Sequence, residues 1–201
     1  MKLYDISQEV FSCKVYPGDP APRREVLSAM ERGDLYNLTA FSMCAHNGTH
    51  LDAPAHFIRD GKTVEQIPLE KLIGVCLVAE HHGELTGEDA QALLAGGAKR
   101  ILLKGDCVVT LEAAEVFAAS ELYLLGVESQ TVGPEEAPMA VHKTLLTCET
   151  VLLEGLRLGE ISPGRYLLMA QPLALEGADG APCRAVLAEL HRDGETDSLF
   201  S

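Results

Sequence analysis

Between residues 72 and 127 the sequence alternates short apolar runs with helix-start signals, and few architectures accept that alternation. Leu72-Ile-Gly-Val-Cys-Leu-Val-Ala79 is a continuous apolar run of strand length, which suits a buried strand. Thr86-Gly-Glu-Asp89 resembles a capping box, with Asp in place of the usual Glu, and opens a helix that ends near Gly96-Gly97. Lys99 to Lys104 predicts another strand. Thr110 caps a helix over 111–119, with Glu112 in the first turn where the helix dipole favours an acid. Residues 121–127 predict a third strand, so 99–127 has the strand–helix–strand pattern of a parallel crossover unit. Further on, Val141–Cys148 predicts a short helix, and Thr150–Glu154, Arg165–Leu175 and Cys183–Leu190 predict strands separated by Gly-rich turns. The expected class is a mixed α/β fold, sheet-rich in its first and last thirds. The length of 201 residues suits one domain, 1–201. The polar tail from Arg192 to Ser201 is expected to be mobile or to dock on a partner.

Composition removes several function classes. With 47% hydrophobic and 23% charged residues the chain is an ordinary globular protein. Sixteen basic against 30 acidic residues give a net charge of −14, a field that repels phosphate backbones and anionic membranes, so no nucleic-acid or membrane partner is expected. No apolar run reaches transmembrane length, and Met1-Lys-Leu-Tyr-Asp-Ile6 does not open a signal peptide. The six cysteines are scattered without a Cys-x-x-Cys pair and read as reduced thiols, which points to the cytoplasm. The Asn-x-Thr triplets at Asn37 and Asn47 then carry no glycans. Pro17-Gly-Asp-Pro-Ala-Pro22 is a turn or loop.

The chemistry concentrates in eleven residues, His46-Asn-Gly-Thr-His50-Leu-Asp52-Ala-Pro-Ala-His56. His46 and His50 have the i, i+4 spacing of helical zinc ligands, but Asn47-Gly48 and Pro54 favour a tight turn running into an extended segment. In an extended segment His50 and Asp52 share a face, because side chains alternate with period two. The turn can bring His46 back to the same centre, giving nitrogen and oxygen donors suited to Zn²⁺ or Mn²⁺. A single histidine in a loop is usually just solvated; four metal-competent side chains this close together point to a metal or catalytic site. His81-His82, adjacent on a strand, would face opposite sides and reads as a solvated turn beside Gly83. His191 lies before the polar tail and reads as a surface residue, and Cys44 reads as core packing.

His46-Asn-Gly-Thr-His-Leu-Asp-Ala-Pro-Ala-His-Phe57 also resembles the H-x-G-T-H-x-D-x-P-x-H-F signature of the cyclase family, which includes bacterial kynurenine formamidase and isatin hydrolase. The resemblance continues through Leu3-Tyr-Asp-Ile-Ser-Gln-Glu-Val10, Val15-Tyr-Pro-Gly-Asp19, Gly126-Val-Glu-Ser129, the pair His142 and Glu154, and Gly177-Ala-Asp-Gly-Ala-Pro-Cys-Arg-Ala185. It implies an α/β fold of the swivelling β/β/α type, assembled as a homodimer or higher homo-oligomer. It implies that His46, His50 and Asp52 bind one ion, and that Asp52 and Glu154 bridge to a second ion completed by His142. The cofactor expected on this basis is two divalent ions, zinc or else manganese. It implies that His56 is the acid/base.

These assignments have physical reasons. A carboxylate has two oxygens and can bridge two cations, and a bound ion lowers the pKa of its water towards ~7, giving a nucleophile at neutral pH. His56 lies beyond Pro54 and can stand at the pocket without ligating. Free imidazole titrates near ~6.5, a range suited to protonating an amine leaving group at neutral pH. The expected activity is metal-dependent hydrolysis of a carbon–nitrogen amide bond in a small molecule, an aryl formamide such as N-formylkynurenine or a cyclic amide. A metal-assisted lyase or cyclase, and a non-catalytic metal-binding protein of the same fold, are the alternatives. Two departures from the family bear on substrate. Tyr16 stands where formylkynurenine-hydrolysing members typically carry Trp, and is expected to touch substrate; Glu128 stands where Asp is common.

Overall fold

The structure, a computed structural model, describes residues 1–190, so His191 and the tail 192–201 lie outside the described residues. In chain order the strands are β1 (Leu3–Asp5), β2 (Arg23–Ser28), β3 (Leu38–Ser42), β4 (His50–Asp52), β5 (Ile73–Glu80), β6 (Gly83–Leu85), β7 (Arg100–Lys104), β8 (Cys107–Val109), β9 (Leu124–Val127), β10 (Val151–Glu154), β11 (Gly164–Met169), β12 (Gly180–Pro182) and β13 (Val186–Glu189). The helices are α1 (Leu69–Leu72), α2 (Gly87–Leu94), α3 (Leu111–Ala119) and α4 (Met139–Thr147).

Both capping signals operate. Thr86 and Asp89 bond reciprocally, each side chain accepting from the other's backbone N–H, and Thr110 Oγ1 accepts from Ala113 N–H at 3.2 Å. Unpaired N–H groups at each helix start are thereby satisfied. The crossovers make β5, β7, β9 and β10 parallel neighbours, in a nine-stranded sheet ordered β1-β13-β11-β5-β7-β9-β10-β4-β12. β11, β13 and β1 extend it antiparallel on one side, and β4 and β12 on the other. The sheet curls. Cys183–Ala185 carry the chain from β12, at one edge, to β13 beside the other edge, a span of at most roughly 14 Å. Ile6 N–H donates to Ala185 O at 3.0 Å across that seam, and Arg184 pairs with Asp5 at 2.7 Å.

Side-chain alternation splits the core between the two faces of the sheet. Leu102, Leu124 and Leu153 join one cluster with Ile6, Leu51 and Leu187. Ile101, Leu103, Leu125 and Leu152 join the other, covered by Phe117 of α3 and by Val141 and Leu145 of α4. Three predicted strands are markedly shorter in the structure, the first being 121–127, of which only Leu124–Val127 is strand. Arg165–Leu175 pairs only to Met169, and beyond it Pro172, which has no N–H to give a ladder, makes a single bridge to Cys183. Of Cys183–Leu190 only Val186–Glu189 is strand, because the first three residues form the seam. The sequence did not signal β6 and β8, a two-stranded parallel pair, or the hairpin β2–β3, which among the described residues pairs only with itself.

Candidate functional site

β4 is three residues long, and all three are buried between β10 and β12. The antiparallel register sets Glu154 opposite His50 and Gly180 opposite Asp52. Period two sends His50 and Asp52 to one face and Leu51 to the core, as the sequence predicts. The turn before β4 is locked. Asn47 Oδ1 accepts from Cys44 N–H at 2.9 Å and Asn47 N–H donates to Cys44 O at 3.2 Å, a doubly closed turn that brings His46 back beside β4. Thr49 Oγ1 donates to Gly155 O at 2.7 Å and accepts from Gln8 N–H at 2.9 Å, and Gln130 Nε2 donates to Gly48 O at 3.0 Å. Gly155, immediately after Glu154, has φ +70, and a Cβ there would lie 2.2 Å from the Gly48 carbonyl oxygen. Only glycine allows the ends of β4 and β10 to approach this closely.

The five expected ligands meet at one centre. His50 Nδ1–H donates to Gly48 O at 3.0 Å, which turns Nε2 toward Asp52 Oδ1 and Glu154 Oε2, each at 3.4 Å. That Nε2 is fully buried and makes no hydrogen bond. His142 repeats the arrangement from α4: Nδ1–H donates to Pro138 O at 2.9 Å, and Nε2 lies 3.2 Å from Glu154 Oε1 and 3.6 Å from Asp52 Oδ2. His46 Nδ1 lies 2.8 Å from Asp52 Oδ1. Asp52, His50, Glu154 and His142 are all at most 3% exposed.

Burial works against charge on these imidazoles, but the carboxylates outweigh it. The negative charges of Asp52 and Glu154 facing its ring push His50 up to about 10, the bonded carboxylates Asp52 and Asp179 push His46 up to about 9, and Glu154 raises His142. Asp52 is itself buried, yet His46 and His50 hold its carboxyl well below the usual range. Two buried carboxylates therefore demand positive charge, which protons supply when nothing else does. The donor set fits a divalent cation on the same ground. Each of two histidines has its Nδ1 committed to a backbone carbonyl and turns its Nε2 toward Asp52 and Glu154; for His50 both carboxylates are too far for a good hydrogen bond. Ligand atoms of His50, Asp52 and Glu154 lie within 4.8 Å of one another, as do those of His46, Asp52 and His56, and Asp52 is common to both groups.

A cavity of about 250 Å³ opens onto this centre, lined among others by Tyr16, Phe57, Gln130, Thr131 and Pro138. Tyr16 is on its wall, with its hydroxyl donating to Glu135 O at 3.0 Å. His56, on the 3₁₀ turn Pro54–His56, also lines it, and its ring centroid is 4.1 Å from that of His46. The other residues singled out in the sequence stay outside. His81 and His82 bond to Glu84 O and Asp106 near the surface. Cys44 is half-buried, not core, and its thiol lies 3.6 Å from Asp19 Oδ2. Glu128 accepts from Gly105 N–H and Leu158 N–H at 2.8 and 2.7 Å, so its extra methylene serves two loops and not the cavity. Asp179, to which the sequence assigns no role, touches two of the histidines: its Oδ2 lies 3.0 Å from both His46 Nε2 and His56 Nδ1. Its signal in the sequence is the segment Gly177–Ala185, a motif that does not show which side chain reaches the histidines.

The family model described as "Putative cyclase" matches residues 4–109. Kynurenine formamidase of Erythrobacter litoralis is 33% identical over 205 residues, covering 94% of this chain and 94% of that protein. A solved structure from Bacillus stearothermophilus, titled a predicted metal-dependent hydrolase, is 28% identical with TM-score 0.78, over 92% of this chain and 97% of that one. Isatin hydrolase A from Labrenzia aggregata, 22% identical, shares the fold at TM-score 0.80 over 92% of this chain and 93% of that one. With a matching family model over half its length and a relative aligned over nearly all of it, this chain belongs to the cyclase family.

Proposed function

We propose that the chain is a metal-dependent hydrolase of a carbon–nitrogen amide bond, with an aryl formamide or a cyclic amide as substrate. His46, His50, Asp52, His142 and Glu154 would hold up to two divalent ions, zinc or manganese. The observation that carries this reading is the buried Nε2 of His50, without a hydrogen bond and facing two carboxylates. The Erythrobacter relative, a kynurenine formamidase, supports the amide as the bond attacked. A bound ion supplies Lewis acidity, which polarises a carbonyl and acidifies a water molecule.

The chain's own residues do the rest. Asp52 and Glu154 balance the charge of the ions, and the Gly48 and Pro138 carbonyls hold the rings of His50 and His142 in the ligating tautomer. His56 takes a proton at Nε2 and returns it to the departing nitrogen. Tyr16 and Phe57 offer aromatic walls to a planar substrate. Tyr16 in the place of Trp gives a smaller and more polar wall, which favours formanilides and small cyclic amides.

The whole chain acts as one domain in this reading, in the cytoplasm, where six unpaired thiols are stable. It works as a homodimer. The hairpin β2–β3 supports this: an isolated two-stranded sheet is marginal in water, and Val26, Leu27, Met30, Leu35, Tyr36 and Leu38 are all exposed on it or on its loop. Light scattering should give about twice the 21.6 kDa chain mass; a monomer refutes the assembly. The activity is tested by elemental analysis joined to an assay of formanilides, cyclic amides and lactones. Hydrolysis of an amide that chelation removes and zinc or manganese restores supports the reading, and lactone hydrolysis alone overturns it.

A further inference from the structure

One carboxylate outside the five-residue donor set touches two histidines through a single atom. Asp179 Oδ2 lies 3.0 Å from His46 Nε2 and 3.0 Å from His56 Nδ1. An ionised carboxylate only accepts, and one oxygen has lone pairs for two donors, so both nitrogens that face it carry hydrogen. That leaves His46 to offer Nδ1, the atom 2.8 Å from Asp52, and His56 to offer Nε2. The backbone explains why Asp179 is there. Ala53 N–H donates to Asp179 O at 2.9 Å, continuing the β4–β12 ladder by one residue. At Gly180 a Cβ would come 2.7 Å from His46 Cε1, so glycine lets the ring lie against this turn.

We infer that Asp179 is a positioning residue, which through one oxygen sets the tautomers of His46 and His56 and holds the ion-binding ring and the proton-moving ring at a fixed spacing. The inference rests on the hydrolase reading for the roles of the two histidines, but its central claim concerns where two protons reside. The two rings, tilted 32° with centroids 4.1 Å apart, have no hydrogen bond to each other, and Asp179 is the bond acceptor they share.

The test is long-range ¹H–¹⁵N spectroscopy of the zinc-loaded protein with ¹⁵N-labelled histidine, the His56 signals being assigned by their loss in His56→Gln. Wild-type protein should show His56 protonated at Nδ1, and Asp179→Ala should convert it to a mixture of tautomers. Asp179→Ala should lower kcat roughly ten- to a hundredfold with KM little changed, and weaken zinc binding by a similar factor. Asp179→Asn keeps an acceptor oxygen and should retain the Nδ1–H tautomer with a smaller loss. A wild-type spectrum with the His56 proton on Nε2 overturns the inference, whether or not the variants fold. So does an unchanged spectrum in folded Asp179→Ala. Wild-type protein that hydrolyses no amide would refute the hydrolase reading instead, and the spectra would still decide the role of Asp179.

Discussion

The floor of the cavity and its outer wall are built on different plans. On the floor, His50, Asp52 and Glu154 sit on neighbouring buried strands, and Gln8, Thr49, Gln130 and Gly155 tie the turn between His46 and His50 to the end of β10. The wall comes from the segment that leads to β2–β3, where Tyr16 is held by one hydrogen bond to a backbone oxygen and the hairpin beyond it pairs only with itself. A group that must meet a small cation within tenths of an ångström belongs on the first plan. A surface that needs only to be apolar and of suitable shape can be built on the second. On the proposed function, chemistry is thus carried by the sheet, and substrate choice and assembly by what is attached to it.

The largest effects should fall on the floor. His50→Ala removes a buried side chain proposed as a ligand and should lose turnover and metal together. His56→Ala should lose ~10²–10⁴-fold in rate while keeping its metal, as removal of a positioned acid/base typically does. Metal-to-protein ratios of the two purified variants decide the matter, and they need deciding, because His56 is close enough to His46 and Asp52 to ligate. If His56→Ala is stripped of metal too, His56 is a ligand.

Next in size is Gly155→Ala, which combines a positive φ with a Cβ 2.2 Å from a backbone oxygen. It should destabilise the fold by roughly 3 kcal/mol in denaturant unfolding. An effect below about 1 kcal/mol would mean that the turn and β10 shift apart easily, and the floor would then be no stiffer than the wall.

Metal loading should depend on pH. In the metal-free protein His46 and His50 stay protonated up to about 9 and about 10. Below those values an entering ion displaces their protons, so affinity strengthens as pH rises, by at least roughly tenfold per unit between pH 6 and 8. Competition titrations with a chelator at fixed pH measure the slope, and a flat profile would show that the rings are neutral before metal arrives.

The smallest effect belongs to the loop of the β2–β3 hairpin. Leu35, 94% exposed, should tolerate Leu35→Ser within about 0.5 kcal/mol of chain stability while weakening dimerisation. Sedimentation velocity against concentration separates the two effects; dimerisation as tight as wild type would remove Leu35 from the interface.

The floor was far more legible in the sequence than the wall. Capping at Thr86 and Thr110 is local chemistry and survived folding unchanged. The shared face of His50 and Asp52 follows from strand period alone. Nothing local says that Glu154 stands opposite His50, because antiparallel register between distant strands is settled by packing; only the family resemblance supplied His142 and Glu154. Asp179 was missed for the same reason, since a carboxylate in a Gly-rich turn looks solvated until the strand that follows it is paired. The hairpin escaped notice because β2, Arg-Arg-Glu-Val-Leu-Ser, has neither clean alternation nor a continuous apolar run.

The curl of the sheet also orders events in time. β4 pairs with strands that follow it by about a hundred residues or more, and the contact from His46 to Asp179 closes a loop of 133 residues. Contacts of such long range form late and slowly. On the ribosome the motif that holds His46, His50 and Asp52 emerges long before β10 and β12, so a nascent chain presents loose histidines but no finished site. Capture of an ion in the proposed geometry must follow release of β12, and a chain stopped short of Gly180 could keep every proposed ligand and still lack the frame that aims them.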